Sequence, residues 1–192
     1  AAFDALRIER MRVSPGALRE GLLYDLIGRF QHEDARERTV ADLVRRYQVD
    51  VAHGTRVAQT AQSLFAQVAQ AWGLAAETEG QCLSWAAQLH EVGLGISHSQ
   101  YHKHGGYLLR YHDMPGFGRQ EQQRLAALVR LHRRKFAGFE EAELPPDDAA
   151  PVRRLAVLLR VAVLLHRSRS ATPLPAIEAE AREEGLRLRF PQ

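Results

Sequence analysis

The most concentrated chemistry of the chain lies in one stretch, "LHEVGLGISHSQYHKHGGYLL" at residues 89–109. Four of the nine histidines of the chain occur here, next to the carboxylate of Glu91: His90, His98, His102 and His104. Imidazole and carboxylate groups are common protein ligands of zinc and related ions. The stretch therefore raises the question of a metal site. The alternative is that histidines at helix ends cap carbonyl groups or pack against Tyr101 and Tyr107.

Positive charge is concentrated in a segment that begins inside this stretch and continues beyond it. Between residues 103 and 135 the chain has eight basic residues against two acidic ones, a local charge of +6, although the whole chain carries only +3. The basic residues are Lys103, Arg110, Arg119, Arg124, Arg130, Arg133, Arg134 and Lys135. A surface with this charge is suited to an anionic ligand. The alternative is that these side chains cover solvent-facing sides of helices.

Helices are predicted to position these residues. Apolar residues at helical spacing predict a helix over "VADLVRRY", another that starts near residue 51, and four more at about 77–90, 100–112, 119–134 and 151–167. The last of these is apolar on nearly every side and is expected to be the most buried helix. Strands are predicted only near the two ends. They are "RIERMRV", followed by the helix "SPGALREGLLYDLIGRF", and an alternating hairpin around "EEG".

Composition limits the class of protein. With 192 residues, of which 45% are hydrophobic, the chain can bury one substantial core. The single cysteine, Cys82, excludes an internal disulfide and a multi-cysteine zinc site, and it favours a reducing compartment. No segment reaches the roughly 20 apolar residues that are needed to cross a bilayer. The expectation is a globular, cytoplasmic protein that does not insert into a membrane.

A pattern of histidine and acidic residues resembles the HD phosphohydrolase superfamily. The pattern consists of His53 near the start of one helix, the adjacent His90 and Glu91 at the end of the next helix, and one position on a late helix. In that superfamily a histidine, a histidine–aspartate pair and a late aspartate hold a divalent metal. Here glutamate replaces the paired aspartate, and Val163 stands where the late aspartate is expected. The resemblance implies a degraded site. No metal is expected, and any metal that did bind would use His53, His90 and Glu91.

A closer resemblance extends over nearly the whole chain. It is carried, in order, by "SPGALREGLLYDL", "FQHEDARERT", "LSWAAQLHEVGLGISHSQYHKHGGYLL", "DMPGF", "ALVRLHRR" and "LLRVAVLLHRSR". These segments resemble the C-terminal part of the exopolyphosphatase/guanosine pentaphosphate phosphohydrolase family. The resemblance implies a mainly α fold, with an HD-like helical bundle at about 30–170. It also implies a strand–helix remnant of the second actin-like domain at 1–29, and at 171–192 a β-hairpin that begins a small C-terminal domain.

The same resemblance implies that catalysis takes place elsewhere in the parent enzyme. In this family the upstream actin-like domains carry the phosphate-binding loops, the metal-binding acids and the glutamate that activates water, with magnesium as the expected metal. This chain would then have no catalytic residue and no cofactor of its own. Its expected partners are inorganic polyphosphate, or another polyanion, and its own upstream domains. The residues expected to bind polyphosphate are Arg36, Arg38, His102, Lys103, His104, Arg130, His132, Arg133, Arg134 and Lys135.

Three functions remain open from the sequence. The favoured one is polyphosphate binding within an exopolyphosphatase, because successive basic side chains can replace the counterions of a polyanion. The second is an HD-type metal phosphohydrolase that acts on nucleotides such as guanosine pentaphosphate, and Val163 argues against it. The third is a module that forms a homodimer. Nucleic acid is not favoured as a ligand, because aromatic residues are not interleaved with the basic run.

Overall fold

The computed structural model describes residues 32–134, 144–182 and 185–191, which form a helical bundle followed by a β-hairpin. The helices are α1 (His32–Arg46), α2 (Val51–Trp72), α3 (Gln81–Leu89), α4 (Tyr101–Tyr111), α5 (Arg119–Leu131) and α6 (Pro146–Leu165), and the strands are β1 (Glu178–Arg182) and β2 (Gly185–Arg189). The predicted mainly α fold with a C-terminal hairpin is confirmed. The predicted strand–helix unit at 1–29 lies outside the described residues, as does Lys135. None of the described helices is long and apolar enough to cross a membrane.

The ends of the long helix α2 are fixed by its flanking residues. The carboxylate of Asp50 accepts a hydrogen bond from the backbone N–H of His53 at 2.9 Å, which caps the first turn. Gly73 ends the helix with a φ of 64°, in the left-handed region that glycine adopts readily. Between these ends α2 packs against α3, α6 and β1. The cap therefore fixes His53 at the start of a helix that is held on several sides.

A close approach of two backbones fixes the turn that follows α3. Gly93 lies in a single 3-10 turn, Val92–Gly95, which packs against α4. A Cβ atom at Gly93 would overlap the carbonyl oxygen of Tyr101 and would lie 2.5 Å from the amide nitrogen of Gly105. Only glycine fits at this position. The contact therefore sets where the residues just before the turn, including Glu91, lie relative to α4.

The core is centred on α3 rather than on α6. Six of the nine residues of α3 are buried, whereas α6 leaves Arg153 and Leu164 exposed. The prediction that the apolar helix at 151–167 is the most buried one is therefore wrong. The helix begins earlier than predicted, at Pro146. Apolar residues lie on nearly all of its sides, but the rest of the bundle covers only some of these sides. Leu164 remains 66% exposed as a result.

The hairpin packs against one side of α2. The two strands are antiparallel, with Ala179 opposite Leu188 and Ala181 opposite Leu186. These four side chains are partly buried and pack against the core. The side-chain oxygen of Gln67 on α2 accepts a hydrogen bond from the amide of Ala179 at 2.8 Å. The alternating pattern in the sequence thus corresponds to one strand face that is held on the bundle.

Candidate functional site

Four buried histidines from four regions of the bundle form a row. His53 lies in the first turn of α2, His90 directly after α3, His132 directly after α5 and His102 in the first turn of α4. The ring centroids of His53 and His90 are 5.4 Å apart, those of His90 and His132 are 5.4 Å apart, and those of His132 and His102 are 6.3 Å apart. We call these four residues the histidine row. The row joins two histidines of the 89–109 stretch to one histidine from each of two other helices.

Burial keeps the histidine row neutral. Desolvation lowers the pKa of His90 and that of His102 to about 4, and it lowers the pKa of His132 well below the usual value. The Nδ1 atoms of His90 and His132 donate to the backbone carbonyls of Ala87 and Val129, so the Nε2 atom of each ring carries a lone pair. At pH 7 these imidazoles can accept a hydrogen bond or bind a metal. Because they are uncharged, they do not attract an anion electrostatically.

One end of the row has the donor groups of a metal site. His53, His90 and Glu91 each place one ligand atom within 4.8 Å of those of the other two. His53 Nδ1 and His90 Nε2 are buried and have no hydrogen-bond partner among the described residues. Two imidazole nitrogens and one carboxylate, with a fourth position left for water, are a known ligand set for zinc. The chemistry of the donors alone is therefore suitable for a transition metal.

A cation that belongs to the chain already contacts this end of the row. The Arg169 guanidinium donates to Glu91 Oε1 at 2.6 Å and to Asp50 Oδ2 at 3.1 Å. The hydrogen bond to Glu91 raises the pKa of Arg169, so the guanidinium stays charged. Val163 supplies no fourth ligand, because it has no donor atom and lines a cavity. With Arg169 in place, the residues present do not fit a bound divalent ion.

An open cavity of about 520 Å³ lies where the ends of α5 and α6 meet. We call it the arginine cavity. It is lined by Tyr101, His132, Arg133, Arg134, Arg160, Val163, Leu164 and Arg167. Four of these residues are arginines, and none of the described lining residues is acidic. The cavity therefore presents concentrated positive charge, and guanidinium groups match the geometry of phosphate oxygens.

Helix ends bring the arginines of the cavity together. Arg133 and Arg134 follow the last residues of α5, and Arg167 follows α6. The free carbonyl groups at the C-terminus of a helix favour cations at these positions. The Arg133 guanidinium also lies over the Tyr101 ring, 5.0 Å from its centroid. The Tyr101 hydroxyl in turn donates to the neutral Nε2 of His132 at 3.3 Å, which places the ring beneath Arg133.

The structure separates the residues that the sequence assigned to polyphosphate. Three of them line the arginine cavity: His132, Arg133 and Arg134. His132 is buried and neutral there, so the cationic members are the two arginines. Arg36 instead donates to Glu121 at 2.7 Å and lies over the ring of Trp85. These contacts hold Arg36 within the bundle.

Five other predicted residues also lie away from the cavity lining. Arg38 and Lys103 are exposed on α1 and α4. Arg130 lines a separate groove between α4 and α5. His102 is buried and neutral, so it is not the exposed cation that the sequence suggested, and His104 is partly buried. The structure therefore does not bring the nine described residues of the predicted set into one surface, and Lys135 lies outside the described residues.

Sequence reasoning missed two of the four cavity arginines, Arg160 and Arg167. Both lie in or just after the apolar run that suggested a wholly buried helix. They are related as i and i+7, with Val163 and Leu164 between them, which is the spacing of one helix face. This spacing was the available signal for an amphipathic segment with a basic side. Desolvation lowers the pKa of Arg160, in line with its partly buried place in the cavity wall.

Comparison with known proteins defines the class of this helical bundle. The family model described as Ppx/GppA phosphatase, domain III, matches residues 35–192. The chain therefore belongs to the Ppx/GppA phosphatase family, as the sequence motifs indicated.

Particular relatives are guanosine-5'-triphosphate,3'-diphosphate pyrophosphatases. The chain is 39% identical over 191 residues to the one from Aeromonas hydrophila, a match that covers 100% of the chain and 38% of the relative. It is 38% identical over 189 residues to the one from Vibrio cholerae, which covers 98% of the chain and 37% of the relative. The chain thus spans less than two fifths of the length of these relatives.

Proposed function

We propose that this chain is the part of a Ppx/GppA phosphohydrolase that holds a phosphoanhydride polyanion while other parts of the enzyme cleave it. Inorganic polyphosphate is the favoured ligand. The observation that carries the proposal is the arginine cavity, in which four arginines share one space and the described lining has no acid. Membership of the family supports a parent enzyme that hydrolyses phosphate compounds.

Polyphosphate matches the chemistry of the arginine cavity. Its repeating negative charges can be neutralised by successive arginines with release of counterions, as happens along nucleic acids. Each guanidinium can form two parallel hydrogen bonds to phosphate oxygens, which a lysine ammonium cannot do. The exposed side chains of Arg133, Arg134 and Arg167 are accessible to a long chain that enters from solvent. The volume of about 520 Å³ falls in the usual range of ligand pockets.

The described residues favour binding over hydrolysis. Enzymatic attack on phosphorus uses metal ions and a group that positions the nucleophile. In the described part of the chain, one group of potential metal ligands is found, and its carboxylate, Glu91, is paired with Arg169. We therefore expect the chain alone to release no phosphate. The upstream domains, with magnesium, would perform the reaction.

Guanosine pentaphosphate is the second candidate ligand. The relatives from Aeromonas hydrophila and Vibrio cholerae are named for a guanosine that carries phosphates at both the 5' and 3' positions. This nucleotide is also a polyanion, so the same arginines could bind it. It differs from polyphosphate in carrying a base and a sugar. Competition between the two ligands for the same chain therefore distinguishes them.

The test is equilibrium binding of labelled polyphosphate to the 192-residue chain at several salt concentrations. The wild-type chain should bind at low salt, and its affinity should fall steeply as salt rises. The triple variant Arg133→Ala/Arg134→Ala/Arg167→Ala should bind roughly tenfold more weakly or worse. Its salt slope should also be flatter, by about one for each phosphate contact that is lost.

A control with the same change of charge separates cavity binding from general attraction. Arg45, Arg182 and Arg189 each pair with an acid at other exposed positions. Their triple alanine variant should lose no more than about threefold in affinity. Equal losses in the two triple variants would contradict the proposal, as would phosphate release by the chain alone that Glu91→Ala abolishes. Displacement of the label by guanosine pentaphosphate at lower phosphate concentration than by polyphosphate would favour the nucleotide.

A further inference from the structure

We propose that Arg169 is the resident cation of the site formed by His53, His90 and Glu91, and that it excludes a transition-metal ion from this site. Removal of Arg169 would then leave a site that binds zinc or cobalt. The inference concerns residues outside the arginine cavity lining and does not depend on the proposed polyanion function.

The negative charge of Glu91 explains why the Arg169 guanidinium and a divalent metal ion are alternatives at this site. The side chain of Glu91 is only 9% exposed. A carboxylate buried to this extent requires a cation or several hydrogen bonds. Arg169 supplies the charge and a hydrogen bond of 2.6 Å together. A divalent ion on the same carboxylate would lie close to the guanidinium, and like charges at such distances repel strongly. The two cations are therefore alternatives.

The backbone at Arg169 is held in the conformation that delivers this contact. Its φ is 57°, in the left-handed region that residues other than glycine adopt infrequently. Its carbonyl oxygen accepts a hydrogen bond from Arg56 at 3.4 Å, and its second guanidinium nitrogen contacts Asp50, the cap of α2. Such conformations persist where surrounding contacts maintain them. Arg169 is thus built into the site through its backbone as well as its side chain.

The atoms that Arg169 leaves without a partner indicate the class of metal. His53 Nδ1 and His90 Nε2 have no hydrogen-bond partner in the described part of the chain, although most buried polar atoms have one. The hydrogen bond from His90 Nδ1 to the carbonyl of Ala87 fixes the ring and leaves Nε2 as the ligand atom. Two imidazoles and a carboxylate favour zinc or cobalt over magnesium.

The experiment compares Co²⁺ binding to the wild-type chain, Arg169→Ala and Arg169→Ala/His90→Ala, by visible absorption and calorimetry. Arg169→Ala should bind Co²⁺ at least tenfold more tightly than the wild type, and the double variant should lose this gain. Zinc should raise the melting temperature of Arg169→Ala and leave that of the wild type unchanged. If Arg169→Ala does not fold, Arg169→Gln keeps a donor for Glu91 without the charge.

The matched control is Arg45→Ala, which removes an arginine from an exposed pair with Asp42. This variant should bind Co²⁺ with wild-type affinity. Equal Co²⁺ affinity in the wild type and in the folded Arg169 variant would overturn the proposal. A gain in Arg169→Ala that survives His90→Ala would also overturn it, because the ion would then bind at another site.

Discussion

The Arg169 junction (Arg169, Glu91 and Asp50) and the arginine cavity use the same kind of side chain for different purposes. At the junction one guanidinium contacts two carboxylates, at 2.6 and 3.1 Å. In the cavity four arginines share one space, and no acid is present among the described lining residues. The first arrangement satisfies its charges within the chain. In the second, Arg133, Arg134 and Arg167 have no carboxylate among the described lining residues, and their charge is suited to an anionic ligand.

A carboxylate partner within the chain distinguishes a structural arginine from a candidate binding arginine. The number of basic residues in a segment does not make this distinction. Arg36, like Arg169, has an internal carboxylate partner, although the sequence grouped it with the polyphosphate-binding residues. The 89–109 stretch contributes to both regions, because it supplies Glu91 to the junction and Tyr101 to the cavity. Gly93 lies between these two residues. A change at Gly93 should therefore disturb both regions at once.

The largest effect is expected from Gly93→Ala. The new Cβ would overlap the carbonyl oxygen of Tyr101, and backbone atoms cannot yield as a flexible side chain can. The free energy of unfolding should fall by about 3 kcal/mol or more, at the upper end for overpacking. Denaturation in urea measures this loss. The folded fraction should also bind polyphosphate less tightly, because Tyr101 supports Arg133.

Gly185→Ala is the matched control for this substitution. A Cβ at Gly185 would meet no atom within 4 Å, so the same chemical change should alter stability by less than about 0.5 kcal/mol. If Gly93→Ala were as stable as Gly185→Ala, the close contact between the turn and α4 would be wrong. The link between the two regions would then have to lie elsewhere.

An intermediate effect is expected from Glu91→Gln, which removes the charge of the junction and keeps the size of the side chain. Arg169 retains Asp50 and is 46% exposed, so solvent limits the loss to about 1–2 kcal/mol. The matched variant Asp42→Asn affects an exposed pair with Arg45 and should cost less than about 0.5 kcal/mol. Neither variant should change polyphosphate affinity. Equal stability of the two variants would show that the junction contributes no more than a surface pair.

The sequence predicted most helices well and burial less well. The predicted helices at 100–112 and 119–134 correspond to Tyr101–Tyr111 and Arg119–Leu131. Local apolar spacing is sufficient to predict such segments. The burial of α6 was overestimated, because an apolar run does not reveal which faces its neighbours cover. Arg160 and Arg167, on its basic side, were missed for the same reason.

The sequence also predicted part of the candidate site chemistry. It selected His53, His90 and Glu91 as potential ligands, and the structure brings these three together. It did not anticipate Arg169, which is 78 residues from its partner Glu91. No local pattern predicts a contact over that separation. The neutral state of His102 was also unforeseen, because it results from burial by other helices.

The buried histidines should make the chain less stable in acid. The pKa of His102 is about 4 in the folded chain, compared with 6.5 for an unperturbed histidine. Between these values the unfolded chain binds a proton that the folded chain does not, so stability falls as the pH falls through this range. His102→Gln removes this group. The slope of unfolding free energy against pH, measured by urea denaturation, should become shallower by up to about one proton.

The smallest effect of pH is expected on anion binding at the arginine cavity. Burial lowers the pKa of His102 to about 4 and that of His132 well below its usual value, which favours neutral rings, and arginines remain charged throughout. Between pH 8 and pH 6, polyphosphate affinity should therefore change by less than about twofold. The measurement uses a His98→Gln/His104→Gln background, which removes two imidazoles of the 89–109 stretch that are not fully buried. A rise close to tenfold per pH unit in that background, lost on His132→Gln, would show that His132 becomes cationic at the cavity. The separation between a neutral row and a cationic cavity would then be wrong.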